Sequence, residues 1–401
     1  MLKIDQENAP ESVMFVTATL TRENFDTLTS TMNILSDTSA DLTFNEVAAG
    51  NWLLKVDAKD SIEQILYTGS AEVTVLAGIL TQVNLVLNPT GVGTGGVYIY
   101  VTWGTPTSYS WIDYPQNPVL AKSNVSWESL GIQQSKVLYI DGQYKMWYLG
   151  LSGGPYVTIC YATSTDGINW VKSNMNPVIV PTIGSWDEEA VGPGAVYFDD
   201  GIYTIYYVGW ANQNGQWNIG RATSTDGINW TKDPHPILYA SGGWEYQIAP
   251  ASVVKLDGTY YLYYYGISSG TAKIGLATST DGITWNRYSN NPILEKTQNW
   301  EGTGIYYPAV IHDNGMFKMV YMNRYGNLTA FGTATSSDGK NWTKSADNPF
   351  FTEENTANNW ALYDIAYPNY IKLENEYRIY YSGIGQNSSW YKIGFMRKQI
   401  N

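Results

Sequence analysis

Carboxyl groups held close together divide acid and base work between them, because like charges push one pKa up and leave its neighbour ionised. Five stretches of this chain each open with tryptophan and bring acids that suit such a division. They are Trp127 to Gln134 with Glu128, Trp186 to Gly192 with Asp187, Glu188 and Glu189, Trp244 to Ala249 with Glu245, Trp300 to Tyr307 with Glu301, and Trp360 to Tyr367 with Asp364. Aligned on the proline (or Ser135) that begins each following strand, Glu189 and Asp364 fall at equivalent places, as do Glu188 and Glu245. The expected catalytic pair is Glu189 with Glu245, one neutral as acid and one ionised to activate water, with Asp364 tuning both. Asp187, Glu188 and Glu301 are the alternative acids. Gln133 and Gln134 cannot exchange a proton near neutral pH, so their expected part is binding. Trp127, Trp186, Trp244, Trp300 and Trp360 are read as the rim of the site. Trp210, Trp217 and Trp390 offer flat apolar faces in neighbouring loops. Tyr307, Tyr367 and Arg324 complete the expected binding set.

What positions these residues is an internal repeat. Ala162-Thr163-Ser164-Thr165-Asp166-Gly167-Ile168-Asn169-Trp170 recurs at Ala222 to Trp230, at Ala277 to Trp285 and at Ala334 to Trp342. The tryptophans are about 55 to 60 residues apart, the length of a four-stranded propeller blade with generous loops. Each copy leads into a proline-anchored segment: Asn176-Pro177, Pro236, Asn291-Pro292 and Asn348-Pro349. Between copies lie hairpins turning at Asp141-Gly142, Asp200-Gly201, Asp257-Gly258, Asn314-Gly315 and Glu374-Asn375, mostly the pairs that a two-residue turn requires. Five hairpins and four signatures balance if Trp111 to Leu120, spaced like Trp170 to Ile179, supplies the missing outer strand. The ring then closes by pairing a strand near 117–120 with the C-terminal strand near 393–396, which removes exposed sheet edges.

The fold class expected is therefore all-β: a five-bladed β-propeller over 106–401, preceded over 1–105 by a small β-sandwich of short alternating strands such as Val97-Tyr98-Ile99-Tyr100-Val101. That first domain carries no cluster of catalytic residue types and is read as a spacer or docking module. With 36 acidic against 23 basic residues, the net charge of −13 argues against nucleic acid as a partner. The single cysteine, Cys160, excludes an intrachain disulfide and a cysteine metal site. The Asp-Gly turns lack the ligand spacing of a calcium loop, and His235 and His312 sit in turns, so no metal and no cofactor is expected. No apolar run is long enough to span a bilayer. Met1 to Asp5 lacks the apolar core of a signal peptide, and the composition, poor in charge and rich in Tyr and Trp, suggests an extracellular or cell-surface place.

The Ala-Thr-Ser-x-Asp-Gly-x-x-Trp and Asn-Pro repeat, with hairpins such as Tyr144-Lys145-Met146-Trp147-Tyr148, resembles the five-bladed glycoside hydrolases of families 43, 32 and 130. It is also similar to the sialidase Asp-box, which has one more residue between Asp and Gly. The resemblance covers essentially everything after the first domain. It implies a glycosidase acting on a plant or algal poly- or oligosaccharide through a carboxyl pair, or else a non-catalytic glycan-binding or adhesion propeller. Family 43 enzymes would place Asp at the start of the first and second blades and Glu in the third. This chain has Ile132-Gln133-Gln134-Ser135 and Val191-Gly192-Pro193 at the first two places, with its acids upstream.

Overall fold

The computed structural model describes residues 2–4, 14–33, 44, 47–75, 81–90, 97–103, 111–152, 157–211, 215–324, 329–385, 388 and 390–400. The chain forms two compact units, Met1–Tyr109 and Ser110–Asn401.

In the first unit, seven strands join in one order: Leu2–Ile4, Val97–Trp103, Thr81–Pro89, Ile65–Val75, Gly50–Lys59, Phe15–Thr21, Leu28–Asn33. Pairing between Ile65–Val75 and Thr81–Pro89 is confined to Tyr67 with Pro89 and Thr68 with Asn88. Strict alternation buries Trp52, Leu54, Val56 and Ala58 of one strand against Val16, Ala18 and Leu20 of the next.

The second unit is a ring of five antiparallel four-stranded blades. The innermost strands are Gly131–Ile140, Ala190–Asp199, Gln247–Leu256, Ile305–Asp313 and Asp364–Lys372. Their second strands are Gln143–Leu151, Ile202–Trp210, Thr259–Ser268, Met316–Asn323 and Glu376–Ile384. Val157–Ser164, Trp217–Ser224, Thr271–Ser279 and Ala330–Ser336 are the third strands of blades one to four, each followed by a two-residue outer strand. In blade five the third strand, Lys392–Gln399, pairs instead with Ile112–Asp113, and Leu120 bridges Ile393. Each innermost strand packs on the next, and Asp364–Lys372 packs on Gly131–Ile140.

The repeated signature explains how blades hold together. Asp166 accepts the N–H groups of Ile168 (2.7 Å) and Asn169 (2.8 Å), and Ser164 bonds the Gly167 N–H (2.9 Å). The same pattern recurs at Asp226, Asp281 and Asp338. The N–H of Asn229 at Asp226, and that of Thr284 at Asp281, lead the contacts that hold these carboxylates well below the usual range. With its N–H groups tied inward, the turn presents the glycine carbonyl outward. Trp147 donates to Gly227 O (2.9 Å), Tyr206 to Gly282 O (2.9 Å), Tyr263 to Gly339 O (3.0 Å) and Tyr380 to Gly167 O (2.9 Å). Every donor comes from the preceding blade, with blade five preceding blade one. The signature tryptophans Trp170, Trp230, Trp285 and Trp342 then pack edge-on against those same rings.

Removing the residues after Tyr391 takes away the third strand of blade five and its pairing with Ile112–Asp113. The propeller should then lose its single cooperative melting transition. A truncated chain that melts at the wild-type temperature would show that this strand closes nothing.

Candidate active site

The innermost strands run from the face that carries the expected site residues, called the funnel face, to the face of the tight turns, and all five are bulged at the same level. Register slips between Gln133 and Lys136, Pro193 and Ala195, Pro250 and Ser252, Tyr306 and Ala309, and Ala366 and Asn369. Counting from these bulges, Gln134, Pro193, Pro250, Tyr307 and Tyr367 are equivalent. So are Ser135, Gly194, Ala251, Pro308 and Pro368. Proline thus occupies the first bulge position in blades two and three but the second in blades four and five. The alignment on proline is therefore one residue out. Glu189 corresponds to Tyr363, and Asp364 to Ala190. Because strand side chains alternate, one residue moves a side chain to the opposite face.

The acid that follows each tryptophan has a structural duty. Glu245 accepts from Ser241 Oγ (2.5 Å) and the Tyr264 hydroxyl and pairs with Arg287 (2.7 Å), so it links three parts of its blade and is buried. Glu301 does the same with the Thr297 N–H (2.6 Å), the Tyr321 hydroxyl (3.0 Å) and Lys344. Asp187 bonds the Tyr207 hydroxyl (3.1 Å) and Lys232 (2.7 Å), and Glu128 bonds the Tyr148 hydroxyl (3.1 Å) and Lys172 (2.5 Å). Asn176, Asn291 and Asn348, each before a cis proline, donate to these same tyrosines while clasping the backbone of the third strand. In blade five Ala361 follows the tryptophan, and Asp113 of the closing strand takes the acid's place. It accepts from Tyr381 (2.6 Å), Trp360 (3.0 Å), Asn117 (2.8 Å) and the Ala357 N–H (2.8 Å). Burial lifts Asp113 to about 6 against the pull of those donors.

These contacts move Glu245, Glu301 and Asp187 from the expected acid–base groups to the blade scaffold, since their oxygens are already committed to cations and phenols. By the same duty, Asp187 rather than Glu188 is the partner of Glu245 in the repeat. Glu188 accepts the Gly184 N–H (3.2 Å) at the blade's edge. The tryptophans belong to the scaffold too. Trp186 stacks on Tyr207 at 5.6 Å, Trp244 on Tyr264 at 6.1 Å and Trp300 on Tyr321 at 5.9 Å, while Trp360 leans on Tyr381 at 5.2 Å. Trp127 is half-buried beside Gly150. The more open aromatic rings near the funnel mouth are Tyr246, Tyr363 and Trp390, with Trp210 and Trp217 stacked on each other at 5.4 Å.

One group of expected residues does converge. Tyr307 and Tyr367 meet edge-to-face at 4.7 Å, Tyr367 lies 5.5 Å from Tyr391, and Tyr307 lies 4.4 Å from Tyr265. Arg324 donates to the Tyr367 hydroxyl (3.2 Å). Tyr391 donates its hydroxyl to Asp364. Burial raises the Asp364 pKa, outweighing the Tyr391 hydrogen bond and the charge of Arg324, which lower it. Gln134, Tyr307 and Tyr367 all have positive φ, near 55°, 50° and 58°. That conformation costs a non-glycine residue about 1 kcal/mol or more, and here it re-aims a side chain at a bulge. Gln134 reaches across to the Pro193 carbonyl (2.7 Å). Glu189 is half-buried at the start of blade two, with no side-chain hydrogen bond among the described residues. The sequence reading missed Tyr391 and Tyr265. Tyr391 follows Trp390 directly, and Tyr265 ends the run Tyr263-Tyr264-Tyr265, of which each member serves a different layer.

Among the described residues no group of three or more metal-ligating side chains occurs, and no helix is long and apolar enough to cross a membrane.

The staple assignment is checked by Glu245→Gln. Losing the partner of Arg287 in a buried site should cost about 2–3 kcal/mol of stability, read as a lower denaturation midpoint, with ligand recognition at the funnel retained by the folded fraction. A stable variant with lost chemistry would return Glu245 to the acid–base set.

Similarity to known proteins follows the same geometry. A protein of Mycobacterium tuberculosis, itself uncharacterized, is 24% identical over 234 residues, covering 56% of this chain and 77% of that one. A 1,2-β-oligomannan phosphorylase of Thermoanaerobacter is 29% identical over 177 residues, covering 41% of this chain and 56% of the enzyme. A solved structure, reported under the finding that the family 130 mannoside phosphorylases contain glycoside hydrolases targeting β-1,2 mannosidic linkages in Candida mannan, aligns with a TM-score of 0.57. Its identity is 20%, over 73% of this chain and 94% of that one. The family model described as β-1,4-mannooligosaccharide phosphorylase matches residues 190–396, more than half of the chain and four of its five blades. The propeller that these staples and bulges build therefore belongs to glycoside hydrolase family 130.

Proposed function

We propose that the funnel binds a β-mannosidic oligosaccharide and cleaves it by transfer to inorganic phosphate, with Asp364 as the proton donor. The observation that carries this reading is one half-buried, raised-pKa carboxyl group that feels the charge of one cation, Arg324, in a nest of tyrosines. Hydrolysis requires two carboxyl groups flanking the bond, and three candidate acids, Asp187, Glu245 and Glu301, already hold cations and phenols. Phosphorolysis requires only one. A phosphate oxygen attacks the anomeric carbon as the glycosidic C–O bond breaks, and the Asp364 proton passes to the departing sugar oxygen. The products are a sugar 1-phosphate and a chain shorter by one residue. Arg324 would seat the phosphate or a substrate hydroxyl. The open rings of Tyr246, Tyr363 and Trp390 would stack on the sugars beyond. Hydrolysis with Glu189 activating water is the second reading, since Glu189 is the one acid of the expected pair left outside the staples. The plant or algal substrate thus narrows to a β-mannoside, and the extracellular or cell-surface place is proposed on composition alone.

The test incubates β-1,2- and β-1,4-mannooligosaccharides with the protein, with and without phosphate, and follows mannose 1-phosphate and free mannose. Phosphate-dependent release is expected. Asp364→Asn should lower it by about 10²–10⁴-fold, and Arg324→Met should raise the KM for phosphate. Because the acid must be protonated, activity should fall as pH rises through the Asp364 pKa, above the ordinary carboxylate range. Free mannose without phosphate, lost in Glu189→Gln, selects the hydrolytic reading. Binding without either product selects a glycan-binding propeller, which the structural use of so many acids also suits.

A further inference from the structure

Beyond the bulges, toward the tight turns, the five innermost strands enclose a cavity of about 420 Å³. Its charge is unexpected in a chain of net charge −13. The lining includes Lys136, Lys255, Lys372 and His312 and no carboxylate. Two of the lysines are ion-paired: Lys255 with Asp199 at 2.6 Å and Lys372 with Asp313, which Lys318 shares. Lys136 is not. It is 2% exposed, its ammonium donates to the Ala251 carbonyl across the axis at 2.8 Å, and no ion pair reaches it among the described residues. An ammonium has three N–H donors, and one neutral carbonyl supplies neither the remaining acceptors nor a counter-charge. An uncompensated buried charge is costly, and desolvation by burial pushes the Lys136 amine down to about 7.

We propose that this axial cavity is a binding site for a small inorganic anion, chloride or phosphate, held by Lys136. The anion supplies the missing charge and accepts the spare N–H groups. It also fits easily, since the cavity is several times larger than either ion. Bound there, it fixes the strand of blade one to that of blade three through Lys136 and Ala251. The site lies on the turn side of the bulges, past the level of the funnel cluster, and does not depend on how, or whether, the funnel does chemistry.

Thermal unfolding of the full chain, titrated with chloride at constant ionic strength, tests the proposal, because phosphate would also stabilise the chain through the funnel. At saturation the midpoint should rise by about 3 °C. A folded-state amine with a depressed pKa costs stability that builds up as pH falls from the free-amine value toward about 7 and is complete below it, and the anion relieves it by binding the charged form. The gain should therefore be larger at pH about 6 than at about 9. The other titratable groups facing the cavity are Tyr139, Tyr370, His312, Lys255 and Lys372, the last two held by Asp199 and Asp313. His312→Gln should keep the gain, and Lys136→Met should abolish it. A crystal soaked in bromide should show anomalous signal at hydrogen-bond distance from Lys136 Nζ. An undiminished gain in Lys136→Met, or no bromide beside Lys136 in the wild type, overturns the proposal. If the variant does not fold, the bromide soak of the wild type decides alone.

Discussion

The ring depends on one carbonyl per signature. A glycine at positive φ in each turn offers an oxygen that its own strands do not use, and a phenol or indole from the preceding blade takes it. Glycine is required twice over. The turn needs φ near 70–80°, and a Cβ at Gly167 or Gly339 would run into the hydroxyl that makes the bond. The aspartate ties down two N–H groups and fixes the turn, so that the carbonyl is offered to the neighbour, alongside the indole N–H of the signature tryptophan at Gly167, Gly227 and Gly339. Blade five has no signature to offer blade four. There Asp313 takes over, accepting Lys318 from its own blade and Lys372 and Tyr377 from blade five. Charge-assisted bonds are about twice as strong as neutral ones, so one ionic cluster does the work of a missing rivet.

Within a blade the corresponding constraint is the carboxylate between the second-strand tyrosine and the outer-strand cation. It explains why an acidic protein has so few acids left for chemistry. Glu128, Asp187, Glu245 and Glu301 each hold a short outer strand that makes only two ladder pairs with its neighbour. Such a strand is too short to stay by backbone hydrogen bonds alone. A buried pair of this kind is weak evidence for stability in general, because desolvation offsets attraction. Here each carboxylate also accepts a phenol and, in all four blades, a backbone N–H or serine hydroxyl, so its lone pairs are spent and the geometry is specified.

Much of this architecture was legible in the sequence, because it is written in local patterns. The Asp-Gly pairs do form hairpins, with φ near 50° at Asp141, Asp200, Asp257 and Asn314. The signature turn is local, and its repetition announces the blades. The site was less legible for a particular reason. Its residues are placed by bulges, and nothing local states whether proline fills the first or the second bulge position. Pro193 and Pro368 look alike in sequence yet differ by one step in register, which is enough to misalign Glu189 with Asp364. The tryptophan-acid pairs misled by chemistry instead. Aromatic rings and carboxylates are the usual furniture of a sugar site, and here the blades use them first to hold themselves together.

The bulges also account for where the cluster forms. A regular strand would pass its side chains alternately to the two neighbouring blades, leaving little to face the axis. Inserting a residue at one level in all five strands bends each strand and releases one side chain from that alternation. In blades two and three proline fills the released position, and it carries no chemistry. In blades one, four and five the residue is Gln134, Tyr307 or Tyr367, each held at positive φ. Strain retained at three positions, whose equivalents in the other two blades are prolines fixed at negative φ and so free of it, is the mark of side chains kept for what they touch. Two of them touch each other, and Tyr367 touches Arg324 and Tyr391. The asymmetry of a nearly symmetric ring is therefore concentrated on the side of blades four and five, and Asp364, the acid with no staple to hold, stands in it.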